Sequence, residues 1–496
     1  MFSRTSCGAS LSLGKVSKCC ASSQRKYTKQ IANSLVVRSP LDELKSRGLV
    51  AKLSDSSQVN SAFIHKSTVY LGVDPTAGSI HAGNLVPLMA LIHFHISGHQ
   101  VISLTGGATG AVGDPGGRNT ERPLLSIERV NENARKISSQ LQRIFSNGLK
   151  YAEKRNLASA TINPPKFLNN LEWLGGMGLL DFLRLAGKRA TVSVMMAKDS
   201  VKSRLRSEHG ISFTEFSYQL LQAYDYYVLH RDYGCTLQIG GSDQWGNITA
   251  GLELIRRIRG ESLNGGPSDA LQGRGSAYGM TTPLLLTASG EKFGKSSGNA
   301  VWLDPELTSV FDFYQFFLRV GDADVAKYLK IFTLLPLSEI EQVISEHEAT
   351  PEKRIAQGIL ASEVTELIHG ESAVTQAKVA TSILFPGSSE SSSSEANQAR
   401  PENLIAALGP DRRLVLRSLN EFCQDPVTKL AAILGLTNSR GEARKLLASG
   451  GLYLNDQRLS EDITLSSGDF VIGQRVATLR AGKENKLVLA IKDEEA

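Results

Sequence analysis

No run of about 18 apolar residues occurs in the 496 residues, so a membrane-spanning helix is excluded. Cysteine is scarce. Cys7, Cys19 and Cys20 fall near the N-terminus, and the other two, Cys235 and Cys423, are too far apart for a disulfide framework or a zinc site. Both are expected as reduced thiols. Acidic residues are missing from residues 1–41, which carry seven basic ones: Arg4, Lys15, Lys18, Arg25, Lys26, Lys29 and Arg38. The net charge of +6 comes from this leader, and the chain beyond it is close to neutral. The leader is rich in Ser and lacks both a continuous apolar core and a small-residue cleavage box. It therefore reads as an organelle transit peptide over residues 1–39 rather than a secretory signal, a basic tail being the plainer alternative. No long-period repeat is found. What remains is ordinary: 41% hydrophobic and 21% charged residues exclude a wholly disordered or fibrous chain.

The length allows two to four domains. A helical stretch is expected from Leu41 to about Leu53. Ser67–Val73 is a β-rich run ending in Asp-Pro, a helix pattern follows from Gly83 to Ser97, and Gln100–Leu104 reads as a second buried strand entering the Gly-rich stretch Gly106–Gly117. Strand, turn, helix and strand at this spacing form a βαβ unit, so a doubly wound parallel sheet of α/β type is predicted. Asn131–Phe145 is a further helix, and Leu171–Ala197 holds two helical patches. Phe213–His230 is helical, Thr236–Ile239 is a strand and Asn247–Ile258 a helix with a basic end, followed by a Gly/Ser-rich connection over Gly260–Ser276. From Pro305 to Leu384 the period is helical throughout. Ser388–Ser394 is a low-complexity linker, and a compact unit of about 95 residues mixing helix and strand closes the chain.

Two clusters carry chemistry. In the first, a strand ends at Tyr70-Leu-Gly72-Val-Asp74-Pro-Thr76 and a helix starts near His81-Ala-Gly83-Asn84. A helix N-terminus offers free N–H groups and a positive dipole end, which suits a phosphate, and His81 and Asn84 add neutral donors. Gly83 lets a flat base approach the backbone. In the second, Lys292-Phe-Gly-Lys295-Ser296, two lysines bracket a glycine in a loop able to neutralise charge on a leaving pyrophosphate. Each alone has a bland reading: a structural histidine in one case, a solvated basic turn in the other.

Together, H-x-G-[HN] followed about 200 residues later by K-x-x-K-S resembles the signature pair of class I aminoacyl-tRNA synthetases. Thr105–Pro115, Phe213–Asp225 and Leu237–Asn247 narrow the resemblance to the tyrosyl-tRNA synthetase family in its bacterial and mitochondrial form, over about Leu41 to Ala380. The resemblance implies a phenol site between Tyr70 and Asp225, a donor–acceptor pair suited to a hydroxyl. It places Asp114, Tyr218 and Gln222 at the substrate ammonium, and Gln238 and Gln244 along the tyrosine and its carboxylate. Tyr218, Gln222 and Asp225 share one helix face at i, i+4 and i+7. For ATP it implies Gly72, Asp74, Thr76, His81, Gly83, Asn84, Gly241, Asp243, Lys292 and Lys295. The catalytic set is His81, Asn84, Lys292, Lys295, Arg118 and Arg122. ATP is a substrate, Mg²⁺ enters with the nucleotide, and no metal site is built from the protein. Two departures stand out. Asn84 replaces the commoner second histidine, and Pro87, which removes a backbone donor, either delays the helix start or kinks the helix.

In the C-terminal unit Ser439 can cap a helix carrying Arg440, Arg444 and Lys445, before a Gly-Gly turn and a strand. This resembles the S4 RNA-binding fold and implies tRNA(Tyr) as partner. The expected organisation is a transit peptide over 1–39; a Rossmann-like catalytic domain over 40–270 with a dimer-forming insertion at about 171–197; a mobile loop region over 271–304; an α-helical anticodon-side domain over 305–387; a linker over 388–402; and an S4-like α+β domain over 403–496. The resemblance implies a homodimer through this insertion, which carries Trp173, Leu174, Met177, Leu179, Leu180, Phe182, Leu183, Val192, Val194, Met195 and Met196, more apolar surface than it can bury on itself and so some to bury against a partner. The resemblance implies a tyrosine–tRNA ligase of the mitochondrial matrix that loads the 2′-OH first. Two other classes compete with it: a small-molecule nucleotidyltransferase, which would lack the tyrosine site and the RNA-binding unit, and a purely RNA-binding protein. The sequence leaves a role in group I intron splicing open.

Overall fold

The computed structural model describes residues 39–492 except 56–62, 64, 117–119, 121–122, 208–209, 264–274, 297–298, 386–399 and 483–484, with backbone alone at 261–263, 295–296 and 299. The basic leader, Arg118, Arg122 and the Ser-rich linker lie outside the described residues. Helix α1 (Pro40–Ser46) is capped by the Ser39 hydroxyl, which accepts from the Leu41 N–H at 3.2 Å. It is shorter than expected. Gly48 turns left-handed at φ 74°, and the chain leaves the helix to form β1 (Lys52–Leu53), a two-residue edge strand.

A six-stranded sheet organises the first half, in the order β1-β6-β5-β2-β3-β4. It comprises β2 (Thr68–Val73), β3 (Gln100–Thr105), β4 (Lys166–Asn169), β5 (Cys235–Gly241) and β6 (Tyr278–Thr282), all parallel, with β1 antiparallel to β6. Alternation along the strands sends residues to opposite faces. Val69 and Leu71 pack with α2 (Leu85–Ile96) and α3 (Ile127–Lys154) in one core. Tyr70, Ile102 and Cys235 pack with α4 (Phe213–Tyr233) and α5 (Trp245–Leu263) in the other. Helices therefore cover both faces, as a buried parallel sheet requires. Pro87 is the third residue of α2, where an N–H has no partner within the helix. A 3₁₀ turn over Ala82–Asn84 delays the α-helix, so the proline costs no hydrogen bond.

Helices α6 (Val310–Leu318), α7 (Asp322–Phe332), α8 (Leu337–Ala349), α9 (Ile355–His369) and α10 (Glu371–Leu384) form the helical region and share the first core through Phe313, Phe317, Leu329 and Leu360. The C-terminal unit holds α11 (Pro401–Leu408), α12 (Val427–Ile433), α13 (Arg440–Ser449) and five strands, β9 (Leu414–Arg417), β10 (Leu452–Leu454), β11 (Gln457–Arg458), β12 (Val476–Ala481) and β13 (Asn485–Ile491), in one sheet ordered β11-β10-β12-β13-β9. It is docked on the helical region. Phe311, Ile383 and Leu384 pack with Leu404, Val476 and Val488, and the buried Lys486 donates to the Ile383 carbonyl at 2.7 Å.

Candidate active site

The strand order turns at β2. From β2 the chain moves outward to β3 and β4, then crosses back to β5 and β6 on the other side. Such a switch point opens a crevice at the carboxyl ends of the strands. Tyr70 and Gln238 sit opposite each other in the β2–β5 register, and Asp74 and Gly241 lie at the ends of the same two strands.

On the α4 side of the sheet, Tyr70 is buried and its ring lies 5.3 Å from that of Tyr226. Among the described residues the Tyr70 hydroxyl and Gln238 Oε1 have no hydrogen-bond partner, although both are buried. Buried polar atoms are nearly always paired, and these two, opposite each other on β2 and β5, leave a donor and an acceptor open to a polar partner. Asp225, also buried, accepts from Trp173 Nε1 at 2.7 Å and from Asn170 Nδ2 at 2.9 Å. Burial pushes its carboxyl from 3.8 up to about 7 despite those two donors. Burial, and secondarily the Asp225 charge, raise the Tyr70 phenol well above its usual value.

Helix α4 brings Tyr218, Gln222 and Asp225 to one side, starting from a Ser212 cap that accepts the Glu215 N–H. The Tyr218 hydroxyl donates to Asp74 Oδ2 at 2.7 Å, and Thr109 donates to Asp74 Oδ1 at 2.7 Å. Tyr218, expected at the substrate ammonium, thus touches the group expected at the adenosine. Gln244 donates to Asp114 Oδ2 at 2.6 Å, and Asn247 Nδ2 donates to Gln222 Oε1 at 3.1 Å and to Gln244 Oε1 at 3.2 Å. Asp114, Gln222 and Gln244 are therefore one connected network, with Gln244 joined to Asp114 and Asn247 bridging it to Gln222. Gly72 is exposed on β2, and a side chain there would meet only open space. Asp243 is exposed beside Gln244, whose Nε2 donates to its Oδ2 at 3.0 Å, and the Thr76 N–H folds back to the Asp74 carbonyl at 2.9 Å.

The two signature clusters meet. A β-carbon on Gly294 would lie 2.6 Å from the Gly83 nitrogen, and one on Gly83 would lie 3.3 Å from the Phe293 carbonyl oxygen. Gly294 also holds φ at 90°, so the close approach and the backbone both require glycine. The Ala82 N–H donates to the Val301 carbonyl at 2.8 Å, and the His81 ring lies 6.2 Å from Trp302. Asn84 Oδ1 accepts from the His81 N–H at 3.4 Å. Lys292 is exposed. Lys295 pairs with Ala300 through the short ribbon β7 (Lys295–Ser296) and β8 (Asn299–Ala300), its side chain lying outside the described residues.

Several supporting residues escaped sequence reasoning. Asn170 ties Asp225, Thr109 and the Ala108 N–H together. Trp173, read from sequence as interface surface, turns inward to Asp225. On the long helix α3, Asn133 donates to the Pro75 carbonyl, and Gln140 Oε1 accepts from the Ile80 N–H at 3.1 Å. These two, on one face of the helix, pin the loop from Asp74 to His81. Polar residues buried on an otherwise amphipathic helix were the one signal available. In the insertion Leu179, Leu180, Val192, Val194 and Met196 are exposed, whereas Met195 is buried and Trp173, Met177 and Phe182 pack inward. In the C-terminal unit Ser439 caps α13 through the Glu442 N–H at 3.2 Å. Arg444 and Lys445 are exposed there, while Arg440 leans back toward Thr428 and Asp462.

With this geometry in view, comparison with known proteins decides the family. The family profile described as tRNA synthetases class I (W and Y) matches residues 64–386. The chain belongs to that family. It is 40% identical over 459 residues to the mitochondrial tyrosine–tRNA ligase of Saccharomyces cerevisiae, covering 91% of this chain and 89% of that one. It is 43% identical to the tyrosine–tRNA ligase of Roseiflexus castenholzii, covering 90% and 97%. The C-terminally truncated mitochondrial tyrosyl-tRNA synthetase of Aspergillus nidulans superposes with a TM-score of 0.62 at 35% identity, covering 72% of this chain and 97% of that structure. Members of this class I synthetase family use ATP, and the switch-point crevice is where its two signatures converge here.

Proposed function

We propose that this chain is a tyrosine–tRNA ligase. It activates L-tyrosine with ATP and passes the tyrosyl group to the 3′ end of tRNA(Tyr). The observation that carries the reading is the buried pair Tyr70 and Asp225 at the switch point, one with an unpaired hydroxyl and the other with a carboxylate held by two donors. A substrate phenol accepts from Tyr70 and donates to Asp225. Phenylalanine would leave the Tyr70 hydroxyl unpaired and take the third donor from Asp225, which keeps only Trp173 and Asn170, a cost of about 1 kcal/mol for each hydrogen bond not made.

In the first step a tyrosine carboxylate oxygen attacks the α-phosphorus, the bond to the bridging oxygen breaks and pyrophosphate leaves. The nucleophile is already ionised, so the work is positioning and charge stabilisation. Asp114, Tyr218 and Gln222 hold the ammonium, and Gln238 and Gln244 line the tyrosine. Gly72, Asp74, Thr76, Gly83, Gly241 and Asp243 receive the adenosine side. His81, Asn84, Lys292, Lys295, Arg118 and Arg122 serve the phosphates, with Mg²⁺ arriving on the nucleotide. In the second step the terminal 2′-OH of tRNA attacks the mixed anhydride and AMP leaves.

Arg444 and Lys445 face the RNA, with Arg440 on the same helix drawn partly toward Asp462. The exposed leucines and valines of the insertion support a homodimer, and the acid-free leader together with mitochondrial relatives supports the mitochondrial matrix. The test is charging of tRNA(Tyr) with labelled tyrosine by the purified chain. Tyrosine- and ATP-dependent loading is expected, and its absence alongside intact RNA binding would overturn the reading in favour of a purely RNA-binding protein.

A further inference from the structure

We infer that helix α7 of the helical region carries the lysine loop, and that Phe293 is a positioning residue which sets where Lys292 stands beside the His81 turn. The inference rests on the adenylation reading above and assigns to that reaction a seat remote from both substrates.

The backbone around Lys292 is a hairpin. The Phe293 N–H donates to the Leu285 carbonyl at 3.0 Å, Leu286 bridges Lys292, and the Thr287 N–H donates to the Glu291 carbonyl at 2.9 Å. This hairpin is fastened to α7 at three levels. Asp324 Oδ2 accepts the Ala288 N–H at 2.8 Å, and Lys327 Nζ donates to the Leu286 carbonyl at 3.3 Å. The Phe293 ring stacks on Phe332 at 4.8 Å and meets Tyr328 edge-on at 4.9 Å, with Phe316 and Phe317 of α6 completing the seat at 5.3 and 6.0 Å. Positions 324, 327, 328 and 332 are spaced i, i+3, i+4 and i+8, so one face of one helix makes all three contacts.

The helix is itself held at both ends. At its start Asp322 Oδ1 accepts from Gln357 at 2.6 Å and from His347 at 3.0 Å. At its end the buried Arg47 guanidinium donates to the carbonyls of Lys330, Thr333 and Leu335. On the far side of Phe293 the chain has no slack, because Gly294 rests against Gly83. Phe293 is thus the one apolar plug in a motif otherwise made of lysine, glycine and serine, and it is buried while its neighbour Lys292 is exposed. A solvated basic turn needs no such anchor. Aromatic stacking of this kind favours one loop position over its alternatives about two- to tenfold beyond what burial gives.

The test is tyrosine-dependent ATP–pyrophosphate exchange by the full chain carrying Phe293→Ala, Phe293→Leu, Asp324→Ala, Lys292→Ala or Phe293→Ala with Lys292→Ala. Rates are normalised to active sites counted from the tyrosyl-adenylate burst. Phe293→Ala is expected to lower kcat about ten- to a hundredfold, the range for a catalytic group misplaced by about 1 Å. Tyrosine Kd should stay within about twofold, since the loop acts on the phosphates. Phe293→Leu should restore most of the rate, and Asp324→Ala, at a residue remote from substrate, should cost a few-fold. Lys292→Ala should cost much less in the Phe293→Ala background than alone, because the lysine is already misplaced. A normalised kcat unchanged in Phe293→Ala, or full additivity of the two substitutions, overturns the inference. A wild-type chain with no exchange overturns the parent reading instead, and this one with it.

Discussion

Tyrosine binding should strengthen about tenfold between pH 6 and pH 8. Burial holds the Asp225 carboxyl at about 7, against 3.8 in the unfolded chain. Only the ionised form is a pure acceptor for the substrate phenol. With a midpoint at 7, about one-tenth of the protein is competent at pH 6 and about nine-tenths at pH 8, which gives the tenfold change in Kd. Binding adds an O–H donor to the carboxylate, so the complex titrates lower than the free protein and affinity is lost as pH falls through 7. The same burial makes the substrate-free fold less stable as pH rises from about 4 to about 7, because the folded state then binds the extra proton. In Asp225→Asn the pH dependence should vanish. Affinity should fall about 10- to 100-fold, the worth of a hydrogen bond to a charged group at about 1.5–3 kcal/mol. The introduced amide adds its own penalty. Trp173 and Asn170 aim donors at both oxygens of Asp225, so either orientation of the amide would set its NH₂ against a donor. Fluorescence titration with tyrosine from pH 6 to 8 measures this, with phenylalanine, which has no phenol, as the flat control. A wild-type tyrosine Kd that does not move across this range refutes the assignment of Asp225 as the buried acceptor.

Lys292→Ala should slow adenylate formation in single-turnover assays while leaving tyrosine affinity nearly unchanged; the reverse pattern would remove it from the phosphate site. A chain ending after Gly409 should still form tyrosyl-adenylate but charge tRNA poorly in a labelled-tyrosine assay. Keeping α11 leaves Leu404 and Leu408 over Ile383 and Leu384, whereas a cut at the Ser-rich linker would bare that patch. Leu180→Glu, at a side chain 73% exposed, should shift the chain toward monomer in sedimentation velocity at micromolar concentration, and an unshifted dimer would place the interface elsewhere.

What was legible in the sequence was local. The strands of the βαβ unit are short apolar-rich runs, and the helix bearing Tyr218, Gln222 and Asp225 repeats polar residues at helical spacing, so both could be read from neighbours along the chain. Strand β1 could not, because two residues have no period and Lys52–Leu53 is defined only by pairing with Met280 and Thr281. Asn170 and Trp173 reach Asp225 across more than fifty residues, and nothing near them in sequence distinguishes them from cap and surface residues. Gln140 and Asn133 are ordinary on a long amphipathic helix until the fold lays the Asp74–His81 loop over them. Phe293 belongs to a motif recognised for its lysines, and its seat is built from α6 and α7, about twenty to forty residues further on. The fate of Pro87 followed from a register detail, the 3₁₀ turn that moved the helix start to Leu85.

The central claim is that the switch-point crevice activates tyrosine through a phenol held between Tyr70 and Asp225. The most direct test is ATP–pyrophosphate exchange by the wild-type chain with tyrosine, phenylalanine and tryptophan in parallel. Tyrosine should drive exchange, and phenylalanine should be poorer by about 30-fold, the figure for two buried hydrogen bonds not made, to Tyr70 and to Asp225, at about 1 kcal/mol each. Tryptophan should support little or none. Exchange driven equally well by phenylalanine, or better by tryptophan than by tyrosine, would contradict the account.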